Sequence, residues 1–479
     1  MIGHDGVMPG TRVSGAPAID GGTNRVSDGL GVGPGRREGV ARWWTPLRIA
    51  LAVLGVTLVV GYLQKLPCRD TLRWVEGYQL THVCYTDVLA SFTAYGLDVG
   101  DRPYLDSAVP YPPLIGAFMK VAAVLASPLP TPSAAYFDVS VILLAMCAVV
   151  MVITTAVLAG RQRRWDALMV AAAPVVLLQA FTNWDLFAVA LLGVGMVAWK
   201  RQSLVWAGVW IGAATATKLW PAVILLALVL LCWRAGRMRQ WSTTALVAAV
   251  VWAAITVPVI MVAPTGSAAF WRDNLTRGAD WDSLWLALGD AVGPVSTTQL
   301  NTIVVAATVI VVFAVAALVL RASRRPRVPQ VMFVLLALML VVGKVFSPQD
   351  ALWLTPLAVL ARPRWRAFLV WQVCEVVLTV NRMLVLLGAD TPERALPRGW
   401  WYVTVGVRDL ALLALVAFVV REMIDSRRDV VREDGIDDPA GGVLDGADDA
   451  HPRWREPDAD EFGQMSDGDD SGNHELARQ

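Results

Sequence analysis

The sequence predicts an all-α polytopic membrane protein, and three observations carry that prediction. Hydrophobic residues make up 56% of the 479-residue chain against 17% charged, which leaves too little polar surface for a water-soluble globule. The apolar residues gather into about a dozen runs, and short clusters of arginine stand between them. Net charge says little about partners, because the +1 balance hides basic loops and an acidic C-terminal end.

Residues 1–44 are rich in Gly, Pro, Ser and Asp with no apolar period. Such a composition cannot offset the entropy of ordering, so a disordered cytoplasmic tail is expected. The first apolar run begins near Leu47 with no small-residue cleavage site after it, so it reads as a retained span. Apolar runs lie at about 47–63, 136–159, 167–182, 184–199, 203–217, 219–234, 241–262, 301–320, 328–346, 350–361, 366–388 and 402–421. A helix needs roughly 20 residues to cross the hydrocarbon, so the shorter runs must be extended or tilted. The membrane domain is expected over 45–423. Residues 424–479, with Asp437-Asp438, Asp448-Asp449 and Asp469-Asp470, read as a second disordered cytoplasmic tail.

The positive-inside rule places Arg161/Arg163/Arg164, Lys200/Arg201, Arg234/Arg237/Arg239, Arg321/Arg324/Arg325/Arg327, Arg362/Arg364/Arg366 and Arg421/Arg427/Arg428 on the cytoplasmic side. Neighbouring clusters are then separated by an even number of spans. That parity splits 203–233 into two helices at Lys218-Leu219-Trp220-Pro221, where proline can start a helix. It splits 328–361 at Ser347-Pro348-Gln349-Asp350, where the residue before proline is pushed out of the helical region. The outcome is about twelve spans with both termini inside, outer loops at 64–135, 263–300 and 389–401, and 112–127 as an in-plane or re-entrant helix. A spanning 112–127 segment is the alternative; it is short, carries Lys120 and would put the Arg161 cluster outside.

Two of the five cysteines, Cys68 and Cys84, fall in the first outer loop. They pair as a disulfide in an oxidising compartment or stand as two thiols. Cys147, Cys232 and Cys374 fall in spans and read as packing residues.

The first outer loop is polar, acidic and aromatic. It contains Cys84-Tyr85-Thr86-Asp87, Tyr95-Gly96-Leu97, Gly100, Arg102-Pro103-Tyr104 and Tyr111-Pro112-Pro113. Later come Asn183-Trp184-Asp185, Thr217-Lys218-Leu219-Trp220-Pro221 and Lys344-Val345-Phe346-Ser347-Pro348-Gln349. Together these residues resemble an actinobacterial member of glycosyltransferase family 87, integral-membrane enzymes of the GT-C fold similar to polyprenol-phosphate-mannose-dependent mannosyltransferases. The resemblance covers roughly 45–420 and neither tail. Two departures stand out: relatives often carry Glu where this chain has Pro110, and Tyr where it has Asp350.

The resemblance implies a plasma-membrane enzyme with an extracytoplasmic site, about twelve helices and juxtamembrane helices in the first outer loop. It implies transfer of a sugar, mannose by the family pattern, from a polyprenyl-phosphate donor to a cell-envelope glycolipid or glycan acceptor. Such chemistry needs a carboxylate base for the acceptor hydroxyl and donors for the departing phosphate. Asp87 is the first choice for the base, and an N-terminal helix cap is its plain structural alternative. Asp98, Asp101 and Asp106 lie among turn residues and rank below it.

Lys218 and Lys344 are candidates for the donor phosphate and equally for headgroup snorkelling, with Arg102 and Arg272 as further donors. Tyr104 and Gln349 complete the donor-binding candidates carried by the motifs. Asp185 could hold a sugar hydroxyl beside Asn183 and Trp184, or cap a helix. His82, near Asp87, is a weaker candidate that surface exposure would equally explain.

No His/Cys cluster has metal-ligand spacing and no cofactor is expected, although Asp pairs leave a divalent ion open. No phosphate-cradling Gly-Lys-Ser/Thr motif and no basic aromatic stripe for nucleic acid occurs. The rival class is a secondary transporter or a flippase for lipid-linked sugars, which would also break helices beside ionisable residues but should show matching halves. A non-catalytic scaffold would find the loop carboxylates dispensable.

Overall fold

The computed structural model describes residues 44–450; the expected tails at 1–43 and 451–479 lie outside the described residues. From Pro46 onward the described residues are mainly helical, and no strand occurs among them. Six helical segments among them are long and apolar enough to cross a membrane: Pro46–Cys68, Pro132–Ala159, Met238–Val262, Thr297–Arg321, Trp365–Ala389 and Arg398–Ile424. They mark a membrane protein.

The other apolar runs form shorter helices, and their breakers explain why. Pro174 divides 167–182 into Ala167–Ala171 and Pro174–Gln179. Pro221 separates Leu204–Thr215 from Val223–Arg234, and the Gly343–Pro348 stretch separates Val328–Val342 from Ala351–Ala361. At 1.5 Å per residue such helices rise only about 8–23 Å.

Packing is close where side chains are small. A Cβ on Gly61 of Pro46–Lys65 would lie 2.4 Å from the Leu177 carbonyl oxygen, so only glycine allows that approach. Thr57 of the same helix donates to the Ala171 carbonyl at 2.8 Å. The helix Pro113–Ala126 covers the 112–127 segment and buries Ile115, Met119, Ala122 and Ala126 on one face. Its Gly116 leaves a notch for the Tyr104 ring, whose Oη donates to Pro112 O at 2.8 Å.

The C-terminal segment corrects the sequence reading. Residues 424–479 were expected to be disordered throughout, yet 425–450 wrap across arginine-bearing helix ends. Arg327, 1% exposed, pairs with Asp429 at 2.7 Å and donates to Leu360 O and Ala361 O. Asp449 accepts from Arg234 at 2.6 Å and from Arg325 at 2.9 Å. Asp438 accepts from Val328 N, and Trp199 donates to Gly441 O at 2.7 Å. The segment is poor in apolar residues, of which Val431, Ala440 and Leu444 are buried, and charge-assisted hydrogen bonds to buried arginines add to that packing. Reading its carboxylates as solvated missed those partners.

Asp449→Asn should therefore lower the unfolding free energy by about 3 kcal/mol or more, measured on the purified full-length protein. The neighbouring, exposed Asp448 gives the comparison: Asp448→Asn should shift it by less than about 0.5 kcal/mol.

Candidate functional site

The first loop is tied to the end of the first helix where its polar part begins. Cys68 and Cys84 form a disulfide with Cα atoms 5.6 Å apart, and Lys65 donates to Tyr85 O at 2.8 Å. The following residue decides what Asp87 does. Thr86 is extended, and its Oγ1 accepts from Val88 N at 3.2 Å, so Thr86 caps the helix Asp87–Ala94. Its hydroxyl also donates to Phe181 O at 2.8 Å, and Asp87 N donates to Thr182 O at 2.8 Å. With capping done by Thr86, the Asp87 carboxylate is not consumed by its own helix.

That carboxylate instead accepts from Asn183 Nδ2 at 2.9 Å and lines a cavity of about 280 Å³ shared with Tyr85, Gln179, Thr182, Trp281, Gln349 and Arg382. Burial raises the Asp87 pKa above the ordinary carboxylate range; hydrogen bonds from Tyr85 and Asn183 and the charges of Arg382 and Lys218 oppose it without cancelling it. Burial likewise raises the Tyr85 phenol, helped by the Asp87 charge beside it. A half-buried carboxylate with raised basicity, facing a cavity, is suited to accept a proton.

Beside this cavity lies a second polar cluster. Lys218 pairs with the fully buried Asp185 at 3.1 Å, and Trp353 donates to the same carboxylate at 2.9 Å. The ammonium also sits 5.5 Å from the Tyr111 ring centroid and 5.8 Å from that of Trp353. Asp185 thus serves as counter-ion to Lys218, and Trp184, 0% exposed, packs edge-on against Tyr111.

Other predicted residues are placed elsewhere. Lys344 donates to Asn274 O, Arg277 O and Asn301 Oδ1 at 2.6–2.8 Å, which fastens the 263–300 loop. Arg102 pairs with Asp106 at 2.9 Å across a turn and holds that carboxyl down at about 2. Tyr104 is buried under Pro113–Ala126, Arg272 is exposed on Pro264–Thr276, and exposed His82 stacks on Tyr78 at 4.0 Å. Of the predicted donor-site residues, the cavity gathers Gln349, with Asn183 reaching it through Asp87.

Two participants escaped the sequence reading. Tyr85 stood in a quoted motif without a role. Arg382 lies in the apolar run 366–388, where a lone arginine is itself a signal of function. Among the described residues no group of three or more His, Cys, Asp or Glu could hold a metal ion.

The comparisons bear on this geometry directly. Residues 110–348 match the family model of glycosyltransferase family 87. The match indicates a glycosyltransferase. The matched range contains Tyr111, Asn183, Asp185, Lys218 and Lys344, and Asp87 and Arg382 join them from outside it. No curated protein matches the chain.

Lys344→Ala, which removes two hydrogen bonds from the 263–300 loop and one from Asn301, should speed proteolytic cleavage within that loop. Cleavage of the 64–135 loop should stay unchanged under the same conditions.

Proposed function

We propose that this protein is a GT-C-type glycosyltransferase that moves a sugar, mannose by family resemblance, from a polyprenyl-phosphate donor to an envelope glycolipid or glycan acceptor. The reading places the site on the extracytoplasmic side of the plasma membrane, with about twelve spans. The observation that carries it is Asp87: its carboxylate, released from capping by Thr86 and oriented by Asn183, faces the cavity in a chain with a family 87 segment.

In the proposed step the acceptor hydroxyl oxygen attacks C1 of the donor sugar as Asp87 takes the hydroxyl proton. The C1–O bond to phosphate breaks, its electron pair leaves with the phosphate oxygen, and polyprenyl phosphate departs. One glycosidic bond forms as one glycosyl phosphate bond breaks, so no oxidant or reductant is needed. The hydrogen bond from Asn183 keeps the base in one orientation before the acceptor arrives.

The direct test incubates purified full-length protein with defined polyprenyl-phosphate sugars and envelope acceptors and looks for a mass increment of one sugar. Asp87→Asn, with folding verified, should lower turnover about 10²–10⁴-fold; undiminished turnover would remove Asp87 as base. Donor-independent movement of lipid or solute, with no product from any donor, would favour the transporter instead.

A pH profile adds a signed expectation. Because burial raises the Asp87 pKa, the deprotonated base should be lost on acidification at a higher pH than for an ordinary aspartate. Asn183→Ala removes a hydrogen bond that favours the charged form, so it should shift the acid limb of kcat further upward. A downward shift would contradict the arrangement.

A further inference from the structure

Arg382 carries the only cationic side chain among the described residues lining the Asp87 cavity. It projects from the helix Trp365–Leu386, and its Nη1 lies 3.2 Å from Asp282 Oδ2. Its Nε is buried without a hydrogen-bond partner. A guanidinium fixed on one side by Asp282, with its side chain still 19% exposed and lining the cavity, is a receptor for a second anion.

Asp282 is built to hold it there. The residue is fully buried and has φ of +60°, a left-handed conformation that aspartate tolerates better than most residues. Trp401 donates to its Oδ1 at 3.0 Å, and Arg408 Nη2 donates to its carbonyl at 2.6 Å. Both anchors come from Arg398–Ile424, so Asp282 is fixed independently of Arg382. The neighbouring Trp281 closes the cavity wall.

The other cations expected near a donor are already engaged. Lys218 pairs with Asp185, and Lys344 places its ammonium on three oxygens. The cavity, at about 280 Å³, is near the lower end of the ~300–1,000 Å³ of small-ligand sites, and its anionic side is Asp87. An anionic ligand therefore belongs at the Arg382 end.

We propose that Arg382, positioned by Asp282, binds the phosphate of a lipid-linked sugar in this cavity. The assignment rests on the transferase reading for its ligand. As the C1–O bond breaks, Arg382 donates hydrogen bonds to the charge that gathers on the departing phosphate.

The test measures binding of sugar-free polyprenyl phosphate to the purified full-length protein, with polyprenol and inorganic phosphate as separate arms. Wild type and Asp87→Asn should bind polyprenyl phosphate. Arg382→Gln should weaken it about tenfold or more, and Arg382→Lys less severely, with polyprenol unaffected. Asp282→Asn should weaken polyprenyl phosphate binding and lower kcat/KM for the donor together, with polyprenol binding unchanged, a selectivity that general loosening of the fold would not give.

Should the Arg382 variants fail to fold, phenylglyoxal modification of the wild-type protein, mapped by mass spectrometry, gives the same answer. Polyprenyl phosphate should protect Arg382 from modification. Unchanged affinity in folded Arg382→Gln, or equal modification with and without polyprenyl phosphate, would overturn the proposal. Equal protection by inorganic phosphate at the same concentration would overturn its assignment to a lipid-linked ligand. Arg382-dependent binding without sugar transfer from any donor would keep the phosphate site and remove the transferase reading.

Discussion

The hydroxyl of Thr86 accepts the amide of Val88 and so takes the capping role that Asp87 would otherwise fill. Everything proposed for the site follows from that substitution of one cap for another. A carboxylate spent on its own helix terminus would be a local structural device. A carboxylate freed from it, desolvated and held by Asn183 across 96 positions of sequence, is a reactive group. The same threonine bonds the Phe181 carbonyl, so one residue both frees the acid and docks the loop onto the turn that delivers Asn183.

The wider architecture obeys a related constraint: a charge removed from water must find a partner. Arg408, 0% exposed, lies 2.7 Å from Asp409 and 3.7 Å from Glu375, and its guanidinium stacks over Phe346 at 3.7 Å. Arg234, Arg325 and Arg327 find carboxylates in the 425–450 segment. Each such group would be costly alone and specifies one arrangement when paired. Positions in the Asp87 cavity stand apart because their pairing is incomplete, which is the condition for receiving a ligand.

How much of this was legible in the sequence varied with the range of the interaction. Local signals were readable: the helix breaks at Pro221 and Pro348 and the helical 112–127 segment. Cys68 and Cys84, sixteen positions apart, are bridged in the structure. Long-range charge pairing was not readable. Lys344 sits in the most distinctive motif, yet its ammonium fastens a loop. Arg382 has no motif, and only the fold brings it to Asp87. The acidic 425–450 segment looked solvated because its arginine partners are up to 267 residues away. Composition gives the cost of burying a charge, and only the tertiary structure gives its compensation.

The central claim is that the cavity between Asp87 and Arg382 is where a lipid-linked sugar reacts. A cryo-EM structure of the full-length protein with a polyprenyl-phosphate sugar tests it most directly. The account predicts the sugar ring inside the cavity, its phosphate against Arg382 and its C1 face open toward Asp87. A donor bound with its phosphate at Lys344 or on the exposed Arg102 turn, with the cavity left without ligand, would contradict it.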